Sequence, residues 1–251
     1  MRRSAFLANA GSTGAAASVA AALGTALLSA TGCASSRVAS DRFAQGPATK
    51  PRFRIVALGD SLAVGTGASS PEKGFIFQAY LRLNERYPGS RIDDLAMGGA
   101  TVADVLRLQT PRLAHEAPAN VAIVCVGGND VVRRTAPAAF AADYAALVER
   151  IRAALPTTAL VLCGVPDVAL SPLFTGRDGD AIARLAREDD GAVRALAHGG
   201  RTHFVDLFAA TRARRADAAR FLSDDRFHPS DAGHAAFAEA LAPVLLRAVG
   251  G

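Results

Sequence analysis

The sequence holds few of the residues that mark a metal centre, a nucleotide site or a disulfide scaffold. Cysteine occurs three times in 251 residues, at Cys33, Cys125 and Cys163. There is no CxxC pair, no HExxH helix and no Walker loop, so no metal or nucleotide cofactor is implied. Gly65-Thr66-Gly67 reads as a loop and not as a dinucleotide fingerprint. Lysine is nearly missing: Lys50 and Lys73 are the only two, so the net charge of +5 is carried by arginine. The arginines are dispersed, with one mild cluster at Arg212, Arg214, Arg215 and Arg220. Dispersed charge is a solvated surface and argues against a nucleic-acid partner. No internal repeat is visible. Half of the residues are hydrophobic, which excludes a disordered chain and suffices for one α/β domain or two small ones.

Acidic residues are missing from the N-terminus as far as Asp41. Arg2 and Arg3 precede an apolar, Ala-rich run from Gly14 to Ala30, and residues 1–33 read as an export signal. The run is too weakly hydrophobic and too short for a retained membrane helix. Ala30-Thr31-Gly32-Cys33 resembles a bacterial lipobox, which would make Cys33 a lipidated N-terminus and a membrane anchor. That motif usually has Leu where Ala30 stands. The Arg pair before Phe6-Leu7 also resembles a twin-Arg signal with one residue too many. A plain cleaved signal with an incidental cysteine is the alternative, so the protein is expected to be periplasmic, surface-anchored or secreted. Residues 34–50, small and polar with Gly46-Pro47, read as a linker. The folded domain is expected over 51–251.

Within that domain apolar runs alternate with amphipathic ones. Phe53–Leu58, Arg91–Leu95, Val121–Val126, Ala159–Val165 and Phe204-Val205 read as strands. Phe75–Tyr87, Thr101–His115, a segment from Pro137 to Leu155 and Asp231–Val249 read as helices. Nearly all-apolar strands between helices predict a parallel sheet covered on both faces, with ligands at the carboxyl ends of the strands. Cys125 and Cys163 fall in these strands and read as buried thiols. The polar residues cluster at those ends. Gly59-Asp60-Ser61-Leu62 puts a hydroxyl on a tight turn after the first strand. Gly127-Gly128-Asn129-Asp130 follows the third. Asp225-Arg226-Phe227-His228-Pro229 presents a carboxylate and an imidazole three residues apart. Of the other histidines, His115, His198 and His203 read as structural or exposed, and His234 as packing or surface.

These blocks together resemble the SGNH hydrolase superfamily, the GDSL-type esterases and lipases. Gly59 to Leu62 matches the first block, Gly99-Ala100-Thr101 the second, Gly127 to Asp130 the third and Asp225 to Pro229 the last, all in order. One departure is Asp94, where the second block usually opens with Asn. The resemblance implies a three-layer α/β/α sandwich of about five parallel strands, flavodoxin-like. It implies Ser61 as nucleophile, His228 as its base and Asp225 as the group that orients the imidazole. It implies an oxyanion hole made of the Ser61 and Gly99 N–H groups and the Asn129 side-chain amide, to which a helical turn after Ser61 adds its dipole. The Gly-x-Ser-x-Gly elbow of the α/β-hydrolases does not surround Ser61. The expected partner is a small-molecule or lipid ester, and the expected reaction is hydrolysis through an acyl-enzyme. Ser69–Gly74 and Val168–Asp180 are expected to line the cleft, the second with Leu170, Pro172, Leu173 and Phe174. A carbohydrate O-deacetylase would use the same residues. A non-catalytic surface binding protein is the reading of another class, and the presence of Ser61, Asn129, Asp225 and His228 together argues against it.

Overall fold

The computed structural model describes residues 52–250. The segments read as an export signal (1–33, with Cys33) and a linker (34–50) lie outside the described residues. Five parallel strands form one sheet in the order β2-β1-β3-β4-β5. They are β1 (Arg54–Gly59), β2 (Arg91–Asp94), β3 (Val121–Cys125), β4 (Ala159–Cys163) and β5 (Thr202–Val205). The order reverses between β1 and β3, and that switch point opens a crevice at the carboxyl edge of the sheet. β3 and β4 are buried at every residue, as strands covered on both faces must be.

Each face takes alternate residues of the strands. On one face Ile55, Ala57, Val121, Ile123, Val161 and Val205 pack against α2 (Phe75–Arg86) and α9 (Asp231–Gly250). α9 is long and apolar enough to cross a membrane by composition. Its apolar positions, including Phe237, Leu241 and Leu245, are spent on this core instead. The other face is covered by α5 (Pro137–Ala154) and α6 (Gly176–Leu196), with Phe140, Tyr144, Leu147 and Ile151 buried along α5. Pro137 opens α5 at a position whose N–H has no helical partner.

The observed elements differ most from the sequence reading in two places. Thr101–His115 is not one regular helix. It is α3 (Val102–Asp104), then a π-helical turn (Val105–Gln109), then a 3-10 stretch (Thr110–His115). Pro111 has no N–H to donate back to Arg107, which disrupts the regular ladder there. The second difference is α6, 21 residues long, which the reading lacked. Its buried positions include Asp189 and Asp190 beside Ile182, Ala186 and Val193, so two carboxylates interrupt the apolar stripe that reveals a helix. Short helices α1 (Ser61–Val64), α4 (Gly128–Arg133), α7 (Leu207–Arg212) and α8 (Ala218–Phe221) complete the chain. Cys125 and Cys163 are buried and free on neighbouring strands.

Candidate active site

The nucleophile candidate stands at the end of β1, where backbone and side chain are tightly constrained. Gly59 has φ 153°, and a Cβ there would lie 1.9 Å from the Cys125 carbonyl oxygen. Only glycine lets β1 run this close to β3. Asp60 follows and caps α1, its Oδ1 accepting from the Leu62 N–H at 2.9 Å. Burial pushes the Asp60 carboxyl up to about 7, against the pull of the Leu62, Gly127 and Gly128 N–H groups that face it. Asp60 therefore ties the turn carrying Ser61 to the turn that precedes Asn129. Ser61 itself is 4 % exposed. α1 is a single four-residue turn, so the dipole expected behind Ser61 is a small one.

His228 reaches Ser61 from the opposite wall. Its Nε2 lies 2.8 Å from Ser61 Oγ, and its Nδ1 lies 2.6 Å from Asp225 Oδ2. The charged carboxylate can only accept, so Nδ1 carries the proton and Nε2 is left to accept the Ser61 hydroxyl proton. Asp225 Oδ1 accepts from the Phe227 N–H, the His228 N–H and Ser223 Oγ at 2.8, 2.9 and 2.9 Å. Burial raises the Asp225 carboxyl, but the His228 ring and these N–H donors outweigh it and hold it below the ordinary carboxylate range. Arg226 takes the left-handed conformation, φ 60°, uncommon for a residue with a side chain and often seen at functional sites. Its carbonyl is held by Ser171 Oγ at 2.7 Å. The Phe227 ring stands edge-on to the imidazole, 5.0 Å between centroids.

The loop after α1 fits against the same histidine. Gly67 has φ 93°, and a Cβ there would lie 2.9 Å from His228 Cβ and 2.3 Å from the Pro229 carbonyl oxygen. The glycines of Gly65-Thr66-Gly67 thus allow a close backbone approach. Thr66 N–H donates to the Ser61 carbonyl at 2.9 Å. Thr66 O accepts from His234 Nε2 at 3.0 Å, while His234 Nδ1 accepts from the Phe75 N–H at 3.3 Å. His234 is fully buried, so it is a packing residue and not a surface one. Burial lowers its affinity for a proton, as does the nearby His228.

Asn129 lies in the first turn of α4 and lines the same cleft as Ser61 and His228. Its Nδ2 donates one hydrogen to the Ala100 carbonyl at 3.0 Å, which leaves the second amide hydrogen for a ligand. Gly99 is not among the residues lining the cleft. It sits in the loop after β2, held by Arg133 Nη2 on its carbonyl at 3.0 Å and by the Met97 N–H on Gly59 O at 3.0 Å. Asp130 Oδ2 accepts from the Val102 N–H at 3.1 Å, and burial raises its carboxyl to about 6. Asp94 Oδ1 accepts from the Ala96 N–H at 2.9 Å. An asparagine would accept there equally well, so the departure at Asp94 keeps the turn. Burial raises the Asp94 carboxyl to about 6, opposed by Arg112.

The cleft has a cavity volume of about 50 Å³. Its walls are mostly apolar, with Val168, Leu170, Phe221, Leu222 and Phe227 among the lining residues. Only the start of the expected Val168–Asp180 segment takes part; Phe174 packs on Phe227 at 6.4 Å. The expected Ser69–Gly74 lining is overturned. Ser69 and Lys73 turn instead to Asp231 at the start of α9, with Lys73 Nζ 2.6 Å from Asp231 Oδ2. Part of the arginine cluster is engaged within the chain: Arg215 pairs with the buried Asp167 at 3.3 Å. Among the described residues no cluster of histidine, cysteine or carboxylates is arranged to hold a metal ion.

Gln109 was not singled out by the sequence reading. It is fully buried and hydrogen-bonded to Gly59. Its one signal in sequence is a polar residue in the stripe Val102, Val105, Leu113.

Several solved structures share the fold. A lipase from a goat rumen metagenome is 20 % identical, with a TM-score of 0.63, over 76 % of this chain and 97 % of that one. An acetyl xylan esterase from Geobacillus stearothermophilus is 22 % identical, with a TM-score of 0.59, over 80 % and 95 %. A family 3 carbohydrate esterase from Clostridium thermocellum is 20 % identical, with a TM-score of 0.61, over 79 % and 99 %. No curated protein sequence matches significantly. The model of the GDSL-like lipase/acylhydrolase family matches residues 57–236. That match runs from β1 into the first turns of α9 and takes in the Ser61, Asn129 and His228 segments, so the chain belongs to the GDSL-like lipase/acylhydrolase family and is a serine hydrolase acting on ester bonds.

Proposed function

We propose that the protein hydrolyses carboxylic esters with an apolar acyl group through a covalent acyl-enzyme at Ser61. The observation that carries this reading is the hydrogen-bonded line from Asp225 through His228 to Ser61, ending in an apolar cleft. Ser61 Oγ attacks the ester carbonyl carbon and His228 Nε2 takes its proton. The carbonyl oxygen becomes an oxyanion, held by the Ser61 and Gly99 N–H groups and the free hydrogen of the Asn129 amide. When the tetrahedral intermediate collapses, the C–O bond breaks and His228 returns the proton to the leaving alcohol. Water, activated by the same imidazole, then releases the acid and restores Ser61. Asp225 fixes the tautomer and stabilises the imidazolium.

The fold is shared by a lipase and by carbohydrate esterases, so the fold does not choose between acyl esters and acetylated sugars. The Leu170, Phe221, Leu222 and Phe227 walls favour an apolar acyl group, because a sugar site needs convergent polar groups. A p-nitrophenyl ester chain-length series on residues 51–251 and the full chain, set against acetylated xylan, tests this. Saturable acyl esterase activity that Ser61→Ala abolishes is expected. Saturation on acetylated glycan alone would transfer the protein to the deacetylase reading.

Export is part of the same proposal. The Arg2-Arg3 start, the Ala-rich run and Cys33 support delivery outside the cytoplasm with a lipid on Cys33 as anchor. Palmitate should label the full chain and not its Cys33→Ser variant. An unlabelled, soluble extracytoplasmic protein would leave simple secretion.

A further inference from the structure

Three segments meet at one residue just before the nucleophile. β1 ends at Gly59, two residues before Ser61. The loop carrying Gly99 touches it, because the Met97 N–H donates to the Gly59 carbonyl at 3.0 Å. The third is the π-helical turn Val105–Gln109. Its last residue sends in a side chain whose Oε1 accepts from the Gly59 N–H at 2.9 Å and whose Nε2 donates to the Gly59 carbonyl at 2.7 Å. A primary amide that both accepts from and donates to one residue imitates a neighbouring strand. It does so where β2 has ended at Asp94 and the chain has begun to turn toward Gly99.

The turn is built to deliver this side chain. Thr110 N–H donates to Val105 O, five residues back, which widens the helix as a π-bulge does. Gln109 is fully buried while its neighbour Leu108 is 38 % exposed. A buried amide costs free energy unless it is paired, and a hydrophobic residue would suit the stripe of Val102, Val105 and Leu113 better. The polar choice is explained by what it holds.

We propose that Gln109 is a positioning residue for ester hydrolysis, clamping Gly59 so that Ser61 and the Gly99 loop keep a fixed spacing. The inference rests on Ser61 being the nucleophile, as proposed above. Gln109 does not line the cleft, so its effect on the reaction passes through Gly59. The nucleophile must meet the carbonyl carbon while the donors meet its oxygen, and a shift of about 1 Å costs up to roughly 10²-fold in rate. The Asn129 side of the hole is braced separately, by Asp60 and by Ala100. The clamp therefore governs the Ser61 and Gly99 side.

Two variants test it, in the full chain. Gln109→Met keeps the volume and loses both hydrogen bonds. Its kcat on a p-nitrophenyl ester is expected to fall about 10- to 100-fold with KM changed little, and phosphonate labelling of Ser61 should slow in step. Gln109→Glu restores the pair only when the introduced carboxyl is protonated, since the acid form can donate and accept while the anion only accepts. The ratio of its kcat to wild-type kcat should therefore be near one in mild acid and fall as pH rises, with thermal melts showing folded protein throughout. A ratio well below one that does not recover in acid would overturn the proposal, as would folded Gln109→Met with wild-type kcat. If Gln109→Met does not fold, the pH ratio of Gln109→Glu decides alone. If wild type itself hydrolyses no ester, the reading of Ser61 fails first, and the clamp fails with it.

Discussion

The two walls of the site are built differently. On the Ser61 side, the turn that carries the nucleophile candidate is anchored by buried groups: Gly59 wedged on β3, Gln109 on Gly59, Asp60 across to Gly127 and Gly128. On the His228 side, the chain runs through a loop between α8 and α9. Asp225 has 46 % of its side chain exposed, and the loop is tied by single bonds such as Ser171 to Arg226 and Ser223 N–H to the His228 carbonyl. The difference fits the division of labour. The nucleophile and the oxyanion donors must hold their spacing to a fraction of an ångström, whereas the imidazole must tilt between nucleophile and leaving group. A sheet end supplies the first and a tethered loop permits the second.

Substitutions that remove chemistry on the loop side should break the comparison most severely. His228→Ala is expected to lower kcat by about 10⁴–10⁶-fold. Asp225→Asn should cost less, about 10²–10⁴-fold, because the imidazole that takes the Ser61 proton is still present. Equal losses would mean that Asp225 is as strictly placed as the sheet-end groups. On the rigid side, Asn129→Ala should lower kcat by about 10²–10³-fold while KM stays near wild type, since the oxyanion exists only near the transition state. Loss of stability with an unchanged rate per folded molecule would instead make Asn129 a brace for Ala100.

Ser171→Ala sharpens the contrast at smaller scale. It frees the Arg226 carbonyl, and losing one hydrogen bond of about 1 kcal/mol should lower kcat roughly fivefold. No change would show that the loop holds itself through Asp225 alone.

The smallest effect concerns stability. Asp189 on α6 is 1 % exposed, and neither of its carboxylate oxygens has a hydrogen-bond partner among the described residues. Burial, with Asp130 and Glu188 nearby, raises it to about 7. The folded state thus keeps this proton to higher pH than the unfolded chain does. Its contribution is whole below the ordinary carboxylate value near 4 and is lost as pH rises toward 7. Asp189→Asn should melt a few degrees above wild type at pH 8, on the order of 1–2 kcal/mol. The gap should close toward pH 5 with kcat unchanged. A gap that does not depend on pH would mean that Asp189 holds its proton no more tightly in the folded protein than in the unfolded chain.

What was legible in sequence follows from the same contrast. β3 and β4 read clearly because burial on both faces demands unbroken apolar runs. The Ser61, Asn129 and His228 segments read clearly because each is short and local, bounded by the glycine or proline its turn requires. α6 was illegible because Asp189 and Asp190 occupy buried positions, so its pattern looks like surface. Gln109 was illegible because its purpose depends on Gly59, fifty residues away. Ser69–Gly74 was misassigned to the cleft because nothing local foretells its tie to Asp231. Of Val168–Asp180 only the start lines the cleft, because Val168 and Leu170 lie in a 3-10 turn shortly after β4, whereas Phe174 packs on Phe227.

The most direct test of the whole account is covalent. The full chain treated with a fluorophosphonate, digested and mapped by mass spectrometry should carry one label, on Ser61. Labelling should vanish in Ser61→Ala and slow strongly in His228→Ala, while both variants keep the wild-type circular dichroism. A label on any other residue, or one that persists in folded Ser61→Ala, would contradict the assignment of Ser61 as nucleophile.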